Sequence, residues 1–600
     1  MERRRFIKNV VGSAIAGNTM LTWANAHPCK LIADNGFITN GPTEPVSIYN
    51  NWSSYDELSD NTPLTEALAM RELDELIRLK KNGVRVDYYV MDAFWFDKKG
   101  GYREWHKKHW PNGPDKWFET CKQNNIKPGM WFSTNYIGSG NKTFLEPVAE
   151  WKDSLATDPG TVCLFTGGYL KHLSDSLQLW YDKGVRLFKF DFAYFEAATT
   201  AVKKVHLPDE IKEMNKLALM DMLKQFREKN NDILITGYNG FGGDMENTYL
   251  PFRKTVDARW MEVFDTMYSG DPRFSDVPAM NVWRSQDIYS DHMVRQFEFN
   301  GLPLRRIDSC AFMTGKTGTC YYRADNAWKG MLILELARGG WVNVYHGNME
   351  LINDVDAKWF AKAQRIFYDL QRYGLFSTFG AIPGSVMPYG FKAEAMNGTV
   401  VTVVNPSQTI AKISLPVKAS GSSAVMYADG GFKPYIEHSN ELTIGPEQLV
   451  VVGLGEYALD KYNLGIDETA HIPTAIDKIK AVFASIKQNS IEADVLVTKG
   501  KHIRILFQQF SADGFPHRSW GGAPPDGKKM DAFFKIEVKQ GKKNIPIHIE
   551  YDKMIWSGLS WGAGEINPKD IDSNKPLHIT CSTTEKDILV LKADVYELDY

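Results

Sequence analysis

Between residues 44 and 380, short apolar runs alternate with segments of helical period, and this alternation constrains the fold more than any other feature of the chain. Strand-like runs fall at 46–49, 86–91, 129–132, 185–190, 233–235 and 342–345. Helical patterns lie between them. Thr62-Pro63 predicts a helix start, with proline in the first turn, where its missing N–H is no loss. Leu73, Leu76 and Ile77 share one helical face, and Asn82-Gly83 supplies a stop signal. Met214, Leu217, Leu223 and Phe226 predict the core face of a longer helix. Strands separated by helices pair in parallel through crossovers. So many units over about 340 residues fit a closed (β/α)8 TIM barrel, an α/β fold, better than an open sheet. Strands six and seven leave no pattern that assigns them.

The period changes near residue 385. The run 399–404 is a dense β segment closed by Asn405-Pro406, Ile413 and Leu415 alternate with polar neighbours, and 449–452 is a further strand. These predict a small antiparallel β-sandwich over 385–459. A linker, 460–489, follows, with a helix expected at 475–486. From 490 to 600 the period returns to two. Ile503, Ile505 and Phe507 alternate, as do Phe534, Ile536 and Val538, then Ile545, Ile547 and Ile549 beyond a turn at Gly541. A second, C-terminal β-sandwich is expected there. Trp556 and Trp561 flank a Gly/Ser-containing turn in it. They read as core packing or as a carbohydrate-binding platform.

Residues 1–26 have the pattern of an export signal. Arg3, Arg4, Arg5 and Lys8 give a basic start of twin-arginine type, a mildly apolar run follows, and Ala24-Asn25-Ala26 offers a cleavage site. An exported protein, periplasmic or secreted, is expected, and the apolar run is too short for a membrane span. The net charge of -3 and the absence of a basic stripe give no reason to expect nucleic acid. The six cysteines form no CxxC or zinc-like spacing. Cys310 and Cys320 either pair across a loop or stay as thiols.

Catalytic groups of such barrels sit at the C-terminal ends of strands. Asp92 and Asp191 follow apolar runs and, with Asp287 in the segment 283–288, are the acidic candidates. Lys189 lies two residues before Asp191, so strand geometry points both into the barrel. A buried cation beside a carboxylate holds it ionised, as a nucleophile requires.

The segment 184–191, Gly-Val-Arg-Leu-Phe-Lys-Phe-Asp, with Tyr194 beyond it, resembles the nucleophile strand of clan D glycoside hydrolases, the α-galactosidase-type enzymes of families 27 and 36. Three more segments agree in order. Residues 48–55 resemble the first strand, whose tryptophan lines the sugar pocket and maps to Trp52. Residues 90–96 resemble the "DDGW" strand. Residues 283–291 resemble the strand bearing a substrate-binding arginine and the acid/base aspartate. The resemblance covers the barrel and the following β domain but not the last 110 or so residues. It implies an exo-acting, retaining α-glycoside hydrolase acting on an oligosaccharide or polysaccharide, with no metal or organic cofactor. Asp191 would be the nucleophile and Asp287 the acid/base, about 5–5.5 Å apart. Trp52, Asp92, Lys189, Arg284 and Asn239 (or Asp244) would bind the sugar.

The sequence departs from that pattern. Ala93 replaces the second aspartate of the pair that holds the 4- and 6-hydroxyls, which weakens the case for galactose itself. The stretch from Asn239 to Trp283 is long and carries Arg259, Trp260, Asp265, Asp271 and Asp276, so a lid or an added subsite is expected there. Asp308, after Arg305 and Arg306, competes with Asp287 as acid/base, with a salt bridge as its alternative role. His346 reads as a substrate contact or a structural histidine. Three rival functions are a transglycosylase, a non-catalytic sugar-binding protein on a decayed barrel, and a lyase or aldolase using Lys189 as a Schiff base.

Overall fold

The computed structural model describes residues 44–54, 57–58, 63–242, 256–316, 327–417, 421–437, 440–470, 472–523, 527–549 and 553–600. The expected export signal, Cys320 and Asp244 lie outside these residues. Cys310 is a free, buried thiol.

Nine strands form one sheet in which every pairing is parallel. They are β1 (Val46–Asn50), β2 (Tyr88–Met91), β3 (Lys127–Ser133), β4 (Leu187–Asp191), β5 (Leu234–Gly237), β6 (Thr266–Tyr268), β7 (Ile307–Asp308), β8 (Phe312–Thr314) and β9 (Val342–Gly347). Their order is β7-β6-β5-β4-β3-β2-β1-β9-β8. The two ends of that order are consecutive in the chain, separated only by residues 309–311. The wall is TIM-like. Val46, Ile48, Tyr88, Val90, Leu187, Leu234, Val342 and Val344 form one buried cluster from alternate strand positions, filling its lower half. Among the described residues no helix is long and apolar enough to cross a membrane.

Helices cover the wall: α1 (Glu66–Lys81), α2 (Asp115–Gln123), α3 (Tyr169–Asp182), α4 (Pro208–Lys229), α5 (Val282–Phe299), α6 (Trp328–Ala337) and α7 (Asp354–Tyr373). Helix α1 starts later than expected. Thr65 is its cap, its hydroxyl accepting from the Leu68 N–H at 3.2 Å, while Thr62 lies outside the described residues. Leu73 and Leu76 are buried as predicted, and Gly83 takes a positive φ of 95° just past the end. In α4 the buried face runs through Ile211, Asn215, Leu219, Leu223 and Phe226, whereas Leu217 is exposed. The polar Asn215 masks this face in the sequence. Its amide accepts from the Leu164 N–H and donates to the Phe195 and Ala197 carbonyls, so it is buried without loss.

Beyond the barrel, a six-stranded and a three-stranded antiparallel-rich assembly spans 375–467. Two five-stranded sheets over 475–599 share a single hydrophobic cluster that includes Ile491, Ile503, Phe507, Phe534, Val538, Trp561 and Val595. The helix expected at 475–486 is absent. Ala475–Ile479 pairs antiparallel with Val590–Asp599, and Ala484–Lys487 pairs with Ser490–Val495. Pairing, with a distant strand for the first and within a local hairpin for the second, overrides the local helical preference.

Candidate active site

Above the apolar plug, the inward positions of the barrel strands turn polar. Register places Trp131 beside Lys189 and Ser133 beside Asp191, with Lys189 also beside Thr236. Asp92 and Asp308 stand at the ends of β2 and β7, and His346 on β9. This ring of polar side chains lies at the C-terminal end of the sheet.

Asp191 is buried, 7% exposed, at the end of β4. Its Oδ2 accepts from Trp131 Nε1 at 3.1 Å. Its Oδ1 accepts from the N–H of Phe192 at 2.8 Å, the N–H of Asn239 at 3.1 Å and Asn239 Nδ2 at 2.9 Å. Each partner is a donor, which suits an acceptor-only carboxylate. Burial raises its pKa above the ordinary carboxyl value, while Lys189, Trp131 and Asn239 work the other way. Asn239 is exposed at the rim, so the predicted sugar-binding residue holds the nucleophile candidate directly.

Lys189 donates to Asp92 Oδ2 at 2.7 Å, with side-chain exposures of 6% and 1%. Its Nζ also lies 4.0 Å from the centre of the Tyr238 ring. Burial disfavours its charge, but Asp92 and Asp191 overcome that and its pKa rises. A lysine so held is protonated and no amine nucleophile, which argues against the Schiff-base reading. Asp92 is fixed in turn, its backbone N–H donating to Asn51 Oδ1 at 2.9 Å. Ala93 is buried and offers no acceptor in place of the missing carboxylate.

Asp308 is fully buried. It accepts from the Tyr238 hydroxyl at 2.6 Å and the Cys310 N–H at 2.9 Å. Burial, with Glu335 adding to it, pushes its pKa up to about 7. The salt bridge proposed as its alternative role does not form with Arg306, which instead donates to the Asp265, Met261 and Phe264 carbonyls. His346 is fully buried, 3.7 Å from Cys310 Sγ through Nε2 and edge-on to Trp52 at 6.3 Å between centroids. Burial and the nearby Lys189 drive its pKa well down, so it is neutral.

A common device sets the three strand-end carboxylates. Asp92, Asp191 and Asp308 each accept from a backbone N–H one or two residues on, at 2.7, 2.8 and 2.9 Å. One or two residues after each, a non-glycine residue enters the left-handed region: Phe94 at φ 70°, Phe192 at 49° and Cys310 at 49°. Such strain costs about 1–3 kcal/mol per residue and concentrates at functional sites. Two of the strained residues, Phe94 and Phe192, pack on Trp131 at 6.1 and 5.7 Å. Tyr136 and Tyr194 continue this aromatic collar, and Tyr194 is 45% exposed. Trp131 and Tyr238 carry no distinguishing motif, but inward periodicity from Lys189 and Asp191 through the register would have found them.

The segment 283–291 is not a barrel strand but lies within α5. Arg284 and Asp287 are buried there and joined to each other at 2.6 Å. Arg284 also bonds Asp429 at 2.5 Å and the Glu447 carbonyl at 2.9 Å, both in the following β domain. Arg284 fastens the helix to that domain, with Asp287 paired to it, and neither residue stands at a strand end. The sixth strand lies earlier, in the stretch expected to form a lid. It is β6, only three residues long, too short to show a period. Asp265 just before it is buried and paired with Arg227 at 2.7 Å. Asp271 follows β6 by three residues, is hydrogen-bonded to Tyr268 and keeps 17% of its side chain exposed. Tyr268 stacks on Tyr238 at 4.6 Å, linking Asp271 to the Lys189 cluster.

No family model matches the sequence, and no curated protein does. Solved structures similar to this one include α-galactosidases. A family 36 α-galactosidase of Geobacillus stearothermophilus has a TM-score of 0.50 and 12% identity, over 70% of this chain and 56% of that one. The α-galactosidase of Lactobacillus brevis scores 0.48 at 12% identity, over 68% and 55%. α-Galactosidase I of Mortierella vinacea scores 0.44 at 14%, over 69% and 98%. The chain spans little more than half the length of the family 36 enzymes. At 12% identity the first likeness establishes a shared fold.

Proposed function

We propose that this protein is a retaining, exo-acting α-glycoside hydrolase of the α-galactosidase type, built on a (β/α)8 barrel whose seventh strand is broken at residues 309–311. The observation that carries the reading is Asp191. It closes a barrel strand, is filled with N–H donors, stands beside a buried Lys189–Asp92 pair and still reaches the surface at 7% exposure. That is the environment of a carboxylate that must stay charged to attack an anomeric carbon. The likeness to α-galactosidase structures is consistent with it.

In this reading Asp191 attacks the anomeric carbon, the glycosidic C–O bond breaks, and a general acid protonates the leaving oxygen. The same residue, now a base, takes a proton from the water that releases the sugar. We assign that role to Asp271. An acid must reach the leaving group, and Asp271, though 3.7 Å from Arg273, is partly exposed three residues beyond β6, whereas Asp308 is sealed and Asp287 is buried with Arg284. Lys189 and Trp52 bind the sugar, with Asp92 holding Lys189 in place. Asn239 and Trp131 orient Asp191. Because Ala93 supplies no second carboxylate, the sugar held here differs from galactose in the 4- and 6-positions or finds its contact on another loop.

The test is a panel of aryl α-galactoside, α-N-acetylgalactosaminide, α-glucoside and β-L-arabinopyranoside, with Asp191→Asn beside the wild type. Hydrolysis of one member with retention, abolished by the substitution, supports the reading. Inversion, or activity that survives Asp191→Asn, would overturn it.

A further inference from the structure

The last domain carries two tryptophans whose setting differs from that of its core. Trp561 is fully buried and its Nε1 donates to the Ser275 carbonyl at 3.0 Å, so it is a fastening of the domain to the barrel. Trp520 is 51% exposed, and Trp556 lies beside it with ring centroids 6.5 Å apart. An exposed indole beside a second one has no packing explanation of its own.

The backbone holds this pair in place. Trp556 sits at φ 52°, in the left-handed region, and its N–H donates to the Gly522 carbonyl at 2.9 Å, while the Gly521 N–H donates to the Ser557 carbonyl at 2.8 Å. A side chain at Gly521 would strike the Met554 carbonyl, which is why the two segments can close so tightly. Ser519, the strand neighbour of Trp520, is buried and donates to Glu585 at 2.5 Å, so strand alternation turns the Trp520 ring outward. The two rings are inclined at 49°, and the exposed indole of Trp520 offers an apolar face that matches the C–H face of a pyranose.

The platform is also tied to the active-site side of the barrel. Arg518 forms an ion pair with Asp276, and Ser560 donates to Asp276 at 2.9 Å. Asp276 and Ser275 belong to the same loop as Asp271. Trp556 and Trp52 pack against one continuous cluster that contains Tyr238, Tyr268 and Phe274 of the barrel together with the core of the last domain.

We infer that Trp520 and Trp556 form a carbohydrate-binding platform for a sugar ring on the leaving-group side of the substrate, so that the last domain selects longer glycosides. The inference rests on the hydrolase reading for its position in the reaction, but not for the binding itself. Two measurements test it with the full chain. In the first, wild type and Trp520→Ala cleave an aryl α-galactoside and a tetrasaccharide ending in α-linked galactose. The ratio of kcat/KM for the tetrasaccharide to that for the aryl substrate should fall about ten-fold or more in the variant, chiefly through KM. An unchanged ratio overturns the platform and leaves the hydrolase reading intact. In the second, the tetrasaccharide is titrated against Asp191→Asn and Asp191→Asn/Trp520→Ala by calorimetry. Binding that weakens by a similar factor supports the platform even if no hydrolysis is found, and equal affinities overturn it.

Discussion

Lys189→Met replaces a buried cation by an apolar side chain of similar length, and its consequence can be worked out from the ion pair it breaks. Lys189 and Asp92 meet at 2.7 Å with almost no exposure. At an effective dielectric of about 20 their attraction is roughly 6 kcal/mol, most of it offset by the desolvation of both groups. In the variant Asp92 is left without its partner, and its cheapest escape is to bind a proton. That costs about 1.4 kcal/mol for each unit by which the pH exceeds the ordinary carboxyl pKa of about 4. The expected loss of stability is therefore about 4 kcal/mol at pH 7 but only about 1.5 kcal/mol at pH 5. The sign follows from linkage. The variant's folded-state carboxyl has a raised pKa, so its stability is intact below about pH 4 and is lost as pH rises. Urea unfolding of both proteins at pH 5 and pH 7 measures this. A deficit that is absent at pH 7, or equal at the two pH values, would refute the account. The same substitution removes a charge that lowers the Asp191 pKa. The acid limb of kcat/KM should accordingly move to higher pH.

Asp191→Asn should reduce kcat by on the order of 10⁴-fold or more with the fold retained, as circular dichroism would confirm. Asp271→Asn should lower kcat by about 10²–10⁴-fold, least on aryl glycosides with good leaving groups, whereas Asp287→Asn should lower the urea midpoint and leave kcat within a few-fold of wild type. The reverse pattern would return the acid/base role to Asp287. Asp308→Asn should gain stability relative to wild type as pH rises from about 4 to about 7. Burial has raised the Asp308 pKa to about 7, so wild type loses stability across that window. A difference that does not vary with pH would contradict the assignment. Trp561→Ala should cost about 3–5 kcal/mol, because it empties a site with no exposure and breaks the bond to the Ser275 carbonyl, and the loss can be read from the urea midpoint.

What could be read from the sequence was whatever is written in local period and spacing. Six barrel strands show there as apolar runs, because a parallel strand buried on both faces must be apolar along most of its length. Lys189 and Asp191 could be placed on the inner side together because alternation is a property of a single strand. The two β-rich regions were legible for the same reason.

The tertiary structure decided everything that depends on which segments meet. Strands β6 and β7 have three and two residues, and their identity comes from neighbours in the sheet, not from any pattern of their own. Residues 283–291 contain polar side chains whose burial in a helix is tolerable only because Asp429, Glu447 and Arg338 arrive from distant parts of the chain to meet them. The segment 475–479 is a strand because Val590–Asp599 is there to pair with it. The partners of Asp191, Trp131 and Asn239, lie 60 and 48 residues away along the chain. A sequence fixes the chemical demand of each buried polar group, but only the closed barrel brings up the atoms that satisfy it.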